Sequence, residues 1–304
     1  MEVTILGCHS ATPRSNARPS AQLLEMRGHL FLIDCGEATQ IALRNANAKF
    51  SRIKHIFISH LHGDHFYGLF GLISTFQLLG REAEMHIYGP KGIKEAVLLM
   101  LKLGGAYTPF PLYFHELSSK NPELLYEDDK VLVRTIPLQH RVYTNGFLFQ
   151  EKEGERRLNM DAIAQYPEIE VCDYQNIKNG KDITLENGKT IANAELTFEP
   201  HRPQSYAYCS DTVYLEDLAT EIRGTRVIYH ESTFLKINEE LAAKTMHATA
   251  YQAGLVAKNA QAEALILGHY SSRYPDVNMF KQEAQEVFKN VFLAEDGKKF
   301  VFEN

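Results

Sequence analysis

Ser59-His60-Leu61-His62-Gly63-Asp64-His65 follows directly on the apolar run Ile56-Phe57-Ile58. The run is β-type, so the cluster after it reads as a loop leaving a strand. Imidazole nitrogens and carboxylate oxygens are the donors that divalent zinc takes, and His60, His62, Asp64 and His65 offer them within one short stretch. A spacing of two does not suit a helical zinc site, whose histidines lie four apart on one face. On a loop, successive side chains diverge and can reach two different ions. A chance run of surface histidines is the weaker reading, because so dense a mixture of ligand types is rare.

One ion needs three or four ligands and two need more, so further donors must come from other strand ends. His140 follows the alternating run Val131-Leu132-Val133-Arg134-Thr135-Ile136-Pro137-Leu138. Asp211 follows Tyr206-Ala207-Tyr208-Cys209-Ser210, and His269 follows Ala264-Leu265-Ile266-Leu267-Gly268. Packing explains each of them as well when taken alone. Together, all at the carboxyl ends of predicted strands, they point to one shared site.

The His-x-His-x-Asp-His pattern of His60, His62, Asp64 and His65 resembles that of the metallo-β-lactamase superfamily, whose later ligands match His140, Asp211 and His269. Asp34 matches the superfamily's buried aspartate beneath the histidine loop. Narrower motifs resemble those of ribonuclease Z, the tRNA 3′-processing endonucleases. They are Asp34-Cys35-Gly36-Glu37-Ala38-Thr39-Gln40, His230-Glu231-Ser232-Thr233-Phe234, His247-Ala248-Thr249-Ala250 and His269-Tyr270-Ser271-Ser272-Arg273-Tyr274. The resemblance runs from Leu6 to Tyr274 and implies an α/β fold: an αββα sandwich of two mixed β-sheets flanked by helices, with metals at one edge.

The resemblance also implies a site and a reaction. Two zinc ions per subunit are expected, one on His60, His62 and His140, the other on Asp64, His65 and His269, with Asp211 bridging. Such a pair, ~3.5–4 Å apart, brings a shared water toward neutrality and flanks an in-line displacement at phosphorus. Asp64 would accept the nucleophile's proton and His247 would protonate the leaving ribose 3′ oxygen. Glu231 would orient His247, and Arg273 would hold a phosphate. The substrate implied is precursor tRNA, cut to leave a 3′ hydroxyl on the tRNA and a 5′ phosphate on the trailer. A homodimer is implied as well, one subunit's arm serving the other's site.

Composition is that of one enzyme. At 304 residues the chain can bury a large core, and it is read as a single domain, 1–304. Val3-Thr4-Ile5-Leu6 enters a strand at once, without a charged leader and cleavage site, and no apolar run approaches the ~20 residues of a membrane span. Cys8, Cys35, Cys172 and Cys209 lack Cys-x-x-Cys spacing, so reduced thiols and a cytoplasmic location are expected, with Cys35 and Cys209 as adventitious metal binders. The net charge of −6 argues mildly against a nucleic-acid partner, although two dications would add positive charge that the sequence does not count. Lys49, Arg52, Lys54, Lys152, Arg156 and Arg157 read as solvated faces.

Strands are expected at Val3–Leu6, Gln22–Met26, Leu30–Asp34, His55–Ser59, Met85–Tyr88, Tyr206–Ser210, Val227–His230, Ala264–Leu267 and near Lys299–Glu303. Helices are expected near Glu37–Asn47, Ile93–Leu103, Lys236–Lys244, Ala248–Asn259 and Asn278–Asn290, and after the histidine loop, where Leu69, Leu72, Ile73, Phe76 and Leu79 recur at helical spacing. From about 151 to 195 the chain turns polar, with turn signals at Lys178-Asn179-Gly180-Lys181 and Glu186-Asn187-Gly188-Lys189. Ribonuclease Z carries its tRNA-clamping arm here, usually with a Gly/Pro-rich tip. This chain has Pro167-Glu168-Ile169-Glu170-Val171-Cys172-Asp173-Tyr174 instead, and a plain surface hairpin is the competing reading. His9 has a weaker claim to the substrate loop; His29, His55, His86, His115 and His201 read as surface or core histidines, and His230 as packing or support.

Two rivals stand beside the tRNA reading. One is a metallo-phosphodiesterase of the same superfamily acting on small phosphodiesters or other RNA; a bridging Asp211 disfavours a lactamase, and the His247 motif a thioesterase. The other is a non-catalytic RNA-binding scaffold holding zinc structurally, which the full set of seven ligands disfavours.

Overall fold

A strand that is apolar at every position must be covered on both faces, and Leu30-Phe31-Leu32-Ile33 is such a strand. The computed structural model describes residues 1–12, 14 and 16–303. In it Phe31 and Ile33 enter one apolar core, while Leu30 and Leu32 enter another. The first core is shared with Val131, Val133, Phe147 and Phe149 of a second sheet. The second is shared with Leu69, Leu72, Ile73 and Phe76 of the helix Gly68–Leu78 and with Ile93 and Val97 of the helix Ile93–Leu103. Helices Ala250–Asn259 and Asn278–Gln285 cover the second sheet through Ala253, Val256, Phe280 and Ala284. The layers are therefore helix, sheet, sheet, helix, as the resemblance implied.

Among the described residues each of these two layered sheets has seven strands and is mixed. The first runs Lys299–Val301, Glu2–Gly7, Ala21–Met26, His29–Ile33, Ile53–Phe57, Met85–Pro90, Leu112–Leu117, antiparallel up to His29–Ile33 and parallel beyond it. The second runs Val291–Leu293, Ala264–Gly268, Val227–Glu231, Ser205–Cys209, Asn145–Glu151, Val131–Pro137, Leu124–Glu127; its first four strands are parallel. Parallel strands deliver their carboxyl ends to one side, and that is where ligand-binding loops collect.

Several expected bounds shift. The last helix stops at Gln285, leaving Val291–Leu293 to form an edge strand, and Leu79 lies beyond its helix and is 51% exposed rather than packed. Strands Leu112–Leu117, Leu124–Glu127 and Asn145–Glu151 are additional. The insertion is larger than 151–195 and is no plain hairpin. Residues 151–203 form a compact unit of short helices and two two-stranded sheets, around a small core of Ile163, Ile169, Ile177, Leu185, Ile191 and Leu196. Its Arg156 pairs with Glu199 at 2.7 Å, and Arg157 lies over the Phe198 ring.

His29, His55, His86 and His115 also prove to be neighbours. His55 stacks on His86 at 5.1 Å, His86 Nδ1 is 3.0 Å from His115 Nε2, and His29 stacks on Phe31 at 5.4 Å. Adjacent strands place them in register, His55 opposite His86 and Tyr88 opposite His115. Among the described residues no helix is long and apolar enough to cross a membrane.

Candidate metal centre

Every residue singled out as a donor stands at or just after a strand's carboxyl end: Asp34 after His29–Ile33, His60 to His65 after Ile53–Phe57, His140 after Val131–Pro137, Asp211 after Ser205–Cys209 and His269 after Ala264–Gly268. Asp34 and His269 hold left-handed backbones, φ 55° and 59°, a conformation costing an ordinary L-residue roughly 1–2 kcal/mol. The first two motifs lock together through backbone. Cys35 N–H donates to the His65 carbonyl at 2.8 Å and Gly68 N–H to the Cys35 carbonyl at 2.9 Å. A Cβ at Gly68 would collide with the Gly36 carbonyl oxygen, which accounts for glycine there.

Two groups of donor atoms converge. His65 Nε2 lies 3.4 Å from His269 Nε2, 3.6 Å from Asp64 Oδ2 and 3.5 Å from Asp211 Oδ1; His269 Nε2 lies 3.4 and 3.3 Å from the same two oxygens. Four corners with such edges sit about 2.0–2.2 Å from their common centre, the reach of zinc to nitrogen and oxygen. Beside them, His60 Nε2 is 3.1 Å from His62 Nδ1 and 3.8 Å from Asp211 Oδ2. His140 brings its own donor within 4.8 Å of those of His60 and His62. Asp211 thus turns one oxygen to each group.

The proton wiring suits a metal too. His65 Nδ1 donates to Asp34 Oδ2 at 2.7 Å, and His140 Nδ1 to the Met246 carbonyl at 2.8 Å. Thr233 Oγ1 donates to Glu231 Oε2 at 2.7 Å, so it accepts from His269 Nδ1 at 2.8 Å. Ser59 Oγ donates to Asp34 Oδ2 at 2.9 Å, so it accepts from His60 Nδ1 at 3.0 Å. Each acceptor takes the Nδ1 proton and leaves the ring's Nε2 lone pair facing the centre, as metal-ligating histidines require.

Charge points the same way. Asp34, Asp64, Asp211 and Glu231 are buried together, and among the described residues only imidazoles lie within ion-pair reach of them. Burial opposes ionisation of Asp64 and Asp211, yet the imidazoles of His65 and His269 hold both carboxyls well below their usual range. Burial likewise opposes a charged His65, and Asp211, Asp64 and Asp34 outweigh it, raising that ring well above its usual value. His60, His62 and His140 are held low, chiefly by burial. Buried anions short of cations are costly, and divalent ions at this donor set answer both the charge and the spacing.

His247 stands beside the centre. Its Nδ1 is 2.8 Å from Glu231 Oε1 and 4.0 Å from Asp211 Oδ2. Burial works against its protonation, but Glu231 and Asp211 prevail and lift its pKa to about 9. Arg273 is exposed, and among the described residues only its backbone N–H is engaged, by Ser271 Oγ. His230 is buried with Nδ1 on the Glu231 carbonyl. Cys35 and Cys209 are held protonated by burial and make poor ligands; Cys8 joins His9 and Asp296 in a separate donor cluster. Sequence reasoning did not single out Ser59, Thr233, the Met246 carbonyl or Tyr208, whose hydroxyl donates to Asp34 Oδ2 at 2.7 Å; their parts are fixed by contacts between distant segments.

Known proteins resemble this chain. The chain is 42% identical over 303 residues to "Ribonuclease Z" of Bacteroides thetaiotaomicron, covering 100% of this chain and 96% of that one. It is 43% identical over 296 residues to "Ribonuclease Z" of Bacteroides fragilis, covering 97% of each. Among solved structures, the short form of human tRNase Z is similar at a TM-score of 0.74 and 26% identity, each chain covered in full. The metallo-β-lactamase fold protein YhfI of Bacillus subtilis shares the fold at a TM-score of 0.68 and 17% identity, with 99% of each chain covered. A family model described as "Anti-Pycsar protein Apyc1" matches residues 1–152.

Proposed function

The chain belongs to the ribonuclease Z family, its residues 1–152 also fitting the Apyc1 family, and from that premise we propose that it is the endoribonuclease that removes the 3′ trailer of precursor tRNA. We assign two zinc ions per subunit to the donor set: one to His60, His62 and His140, the other to Asp64, His65 and His269, with Asp211 between them. The observation that carries this reading is the two faces of Asp211, Oδ1 toward His65 and His269, Oδ2 toward His60. Two cations held there would supply Lewis-acid polarisation of a phosphoryl oxygen and of a water at near-neutral pH.

The chain's own groups do the rest. Asp64, at the rim of one donor group, takes the proton of the attacking water. His247 gives a proton to the departing ribose 3′ oxygen, and Glu231 holds its Nδ1 so that Nε2 does the donating. Arg273, exposed and without an ion-pair partner among the described residues, closes on a phosphate as the RNA arrives. The products are a tRNA with a 3′ hydroxyl and a trailer with a 5′ phosphate.

The unit 151–203 is assigned to gripping the tRNA body. We also assign a homodimer, which the family resemblance implies; light scattering after gel filtration tests it. A cytoplasmic location is supported by four unpaired cysteines. The deciding experiment incubates metal-quantified protein with a 3′-extended tRNA transcript and maps both new ends. Cleavage of bis(p-nitrophenyl) phosphate with the transcript left intact would favour the small-phosphodiester reading instead.

A further inference from the structure

A cavity of about 670 Å³ opens beside His140, walled by Ser119, Lys120, Leu215 and the segment from Pro137 to Asn145. That size suits one ligand of nucleotide dimensions. Its walls divide by chemistry. Leu138, Val142 and Leu215 are apolar, and Val142 is 41% exposed. Lys120 and Arg141 are exposed, and among the described residues neither has a carboxylate partner. Tyr143 donates its hydroxyl to the Ser119 carbonyl at 2.8 Å and accepts from Asn145 Nδ2 at 2.8 Å. Both polar capacities of the phenol are thus in use, and what remains is an anchored ring.

The cavity is also strapped to the centre. Asn145 N–H donates to the Ser59 carbonyl at 3.1 Å, Val213 N–H to the Gln139 carbonyl at 3.0 Å, and Gln139 N–H to Thr212 Oγ1 at 3.2 Å. Its wall is therefore fixed to the start of the histidine loop and to the segment after Asp211. Unpaired bases bind proteins by stacking on aromatic rings, with cations on the backbone.

We propose that this cavity is a subsite for one unpaired nucleotide next to the scissile phosphate, the base on Tyr143 and the phosphate on Lys120 and Arg141. The assignment rests on the tRNA-processing reading and adds residues that set affinity for the single-stranded part of the substrate. The test is steady-state cleavage of a precursor tRNA with an unpaired trailer, by metal-loaded protein, across a range of salt. Lys120→Ala and Arg141→Ala should each raise KM about five- to tenfold and lessen the slope of log KM against log salt by ~0.7 for each phosphate no longer neutralised. Tyr143→Leu should raise KM about tenfold with the slope unchanged and kcat within about twofold. Arg141→Lys should restore the slope.

Lys120 lies outside every donor group, so its variant decides the matter even if those at Arg141 lose metal. Unmoved KM and slope in Lys120→Ala and Tyr143→Leu, with the wild type cleaving, overturn the subsite alone. A wild type that leaves the precursor intact brings down both readings.

Discussion

Replacing Asp34 by Asn tests the metal centre without touching a ligand. The carboxylate accepts four hydrogen bonds: Oδ1 from Ser59 N–H at 2.7 Å, and Oδ2 from Ser59 Oγ at 2.9 Å, His65 Nδ1 at 2.7 Å and Tyr208 Oη at 2.7 Å. An amide has only one acceptor end. If its NH2 takes the Oδ2 position, His65 can satisfy it only by accepting at Nδ1. The ring's proton then moves to Nε2, the atom 3.4–3.6 Å from which the other donors gather. If the amide turns over, its NH2 faces Ser59 N–H donor to donor. The first orientation costs His65 its ligand tautomer; the second keeps that tautomer only by leaving Ser59 N–H against another donor. Loss of such a supporting carboxylate costs about 10–100-fold in metal affinity, or roughly 1.4–2.8 kcal/mol. The measurement is chelator competition read by elemental analysis on Asp34→Asn and wild type, with circular dichroism to establish folding. A folded variant binding both metals within about threefold of wild type would refute the tautomer argument.

Three further outcomes are expected. His247→Ala should retain both metals by elemental analysis while turnover of precursor tRNA falls about 10²–10⁴-fold; loss of zinc would instead make His247 a ligand. Stripping the metals with a chelator should abolish cleavage and lower Tm by about 8 °C or more, the shift from losing a ligand held at a thousand times its Kd, and an unchanged melting curve would mean that the buried carboxylates do not need cations. His55 is held down to about 3, by burial first and then by the neighbouring His86 and His29, so below pH ~6.5 the unfolded chain takes up a proton that the folded one refuses. Stability therefore falls as pH drops from 6.5 toward 3, and His55→Phe should spare about 1 kcal/mol between pH 6.5 and 5 once the ring's partial exposure is discounted; parallel pH profiles of Tm for the two proteins would contradict this.

How much was legible in the sequence depended on the range of the forces involved. Doubly buried strands such as Leu30–Ile33 announce themselves, because every position needs an apolar neighbour. Edge strands do not: Leu112–Leu117 and Leu124–Glu127 lie at sheet margins with mixed exposure, so their patterns blur. Asn145–Glu151 was hidden differently. Thr144-Asn145-Gly146 has a turn's composition, yet Gly146 sits within the strand because a Cβ there would run into the Tyr208 carbonyl oxygen.

The donor identities were written locally, since ligand chemistry belongs to the residue and strand ends can be read from hydrophobic pattern. The sequence, read with the family motifs it resembles, therefore pointed to the layered α/β class, to seven candidate donor side chains and to a His247–Glu231 pairing, and by itself it went no further. It did not determine which nitrogen of each ring faces inward. That choice depends on the Met246 carbonyl, Thr233 and Asp34, brought to their rings across separations of 106, 36 and 31 residues. The cavity beside His140 likewise exists only because Ser119, Asn145 and Leu215 meet in space. Hydrogen bonds act over about 3 Å, so only the folded chain can say which distant partner stands that close.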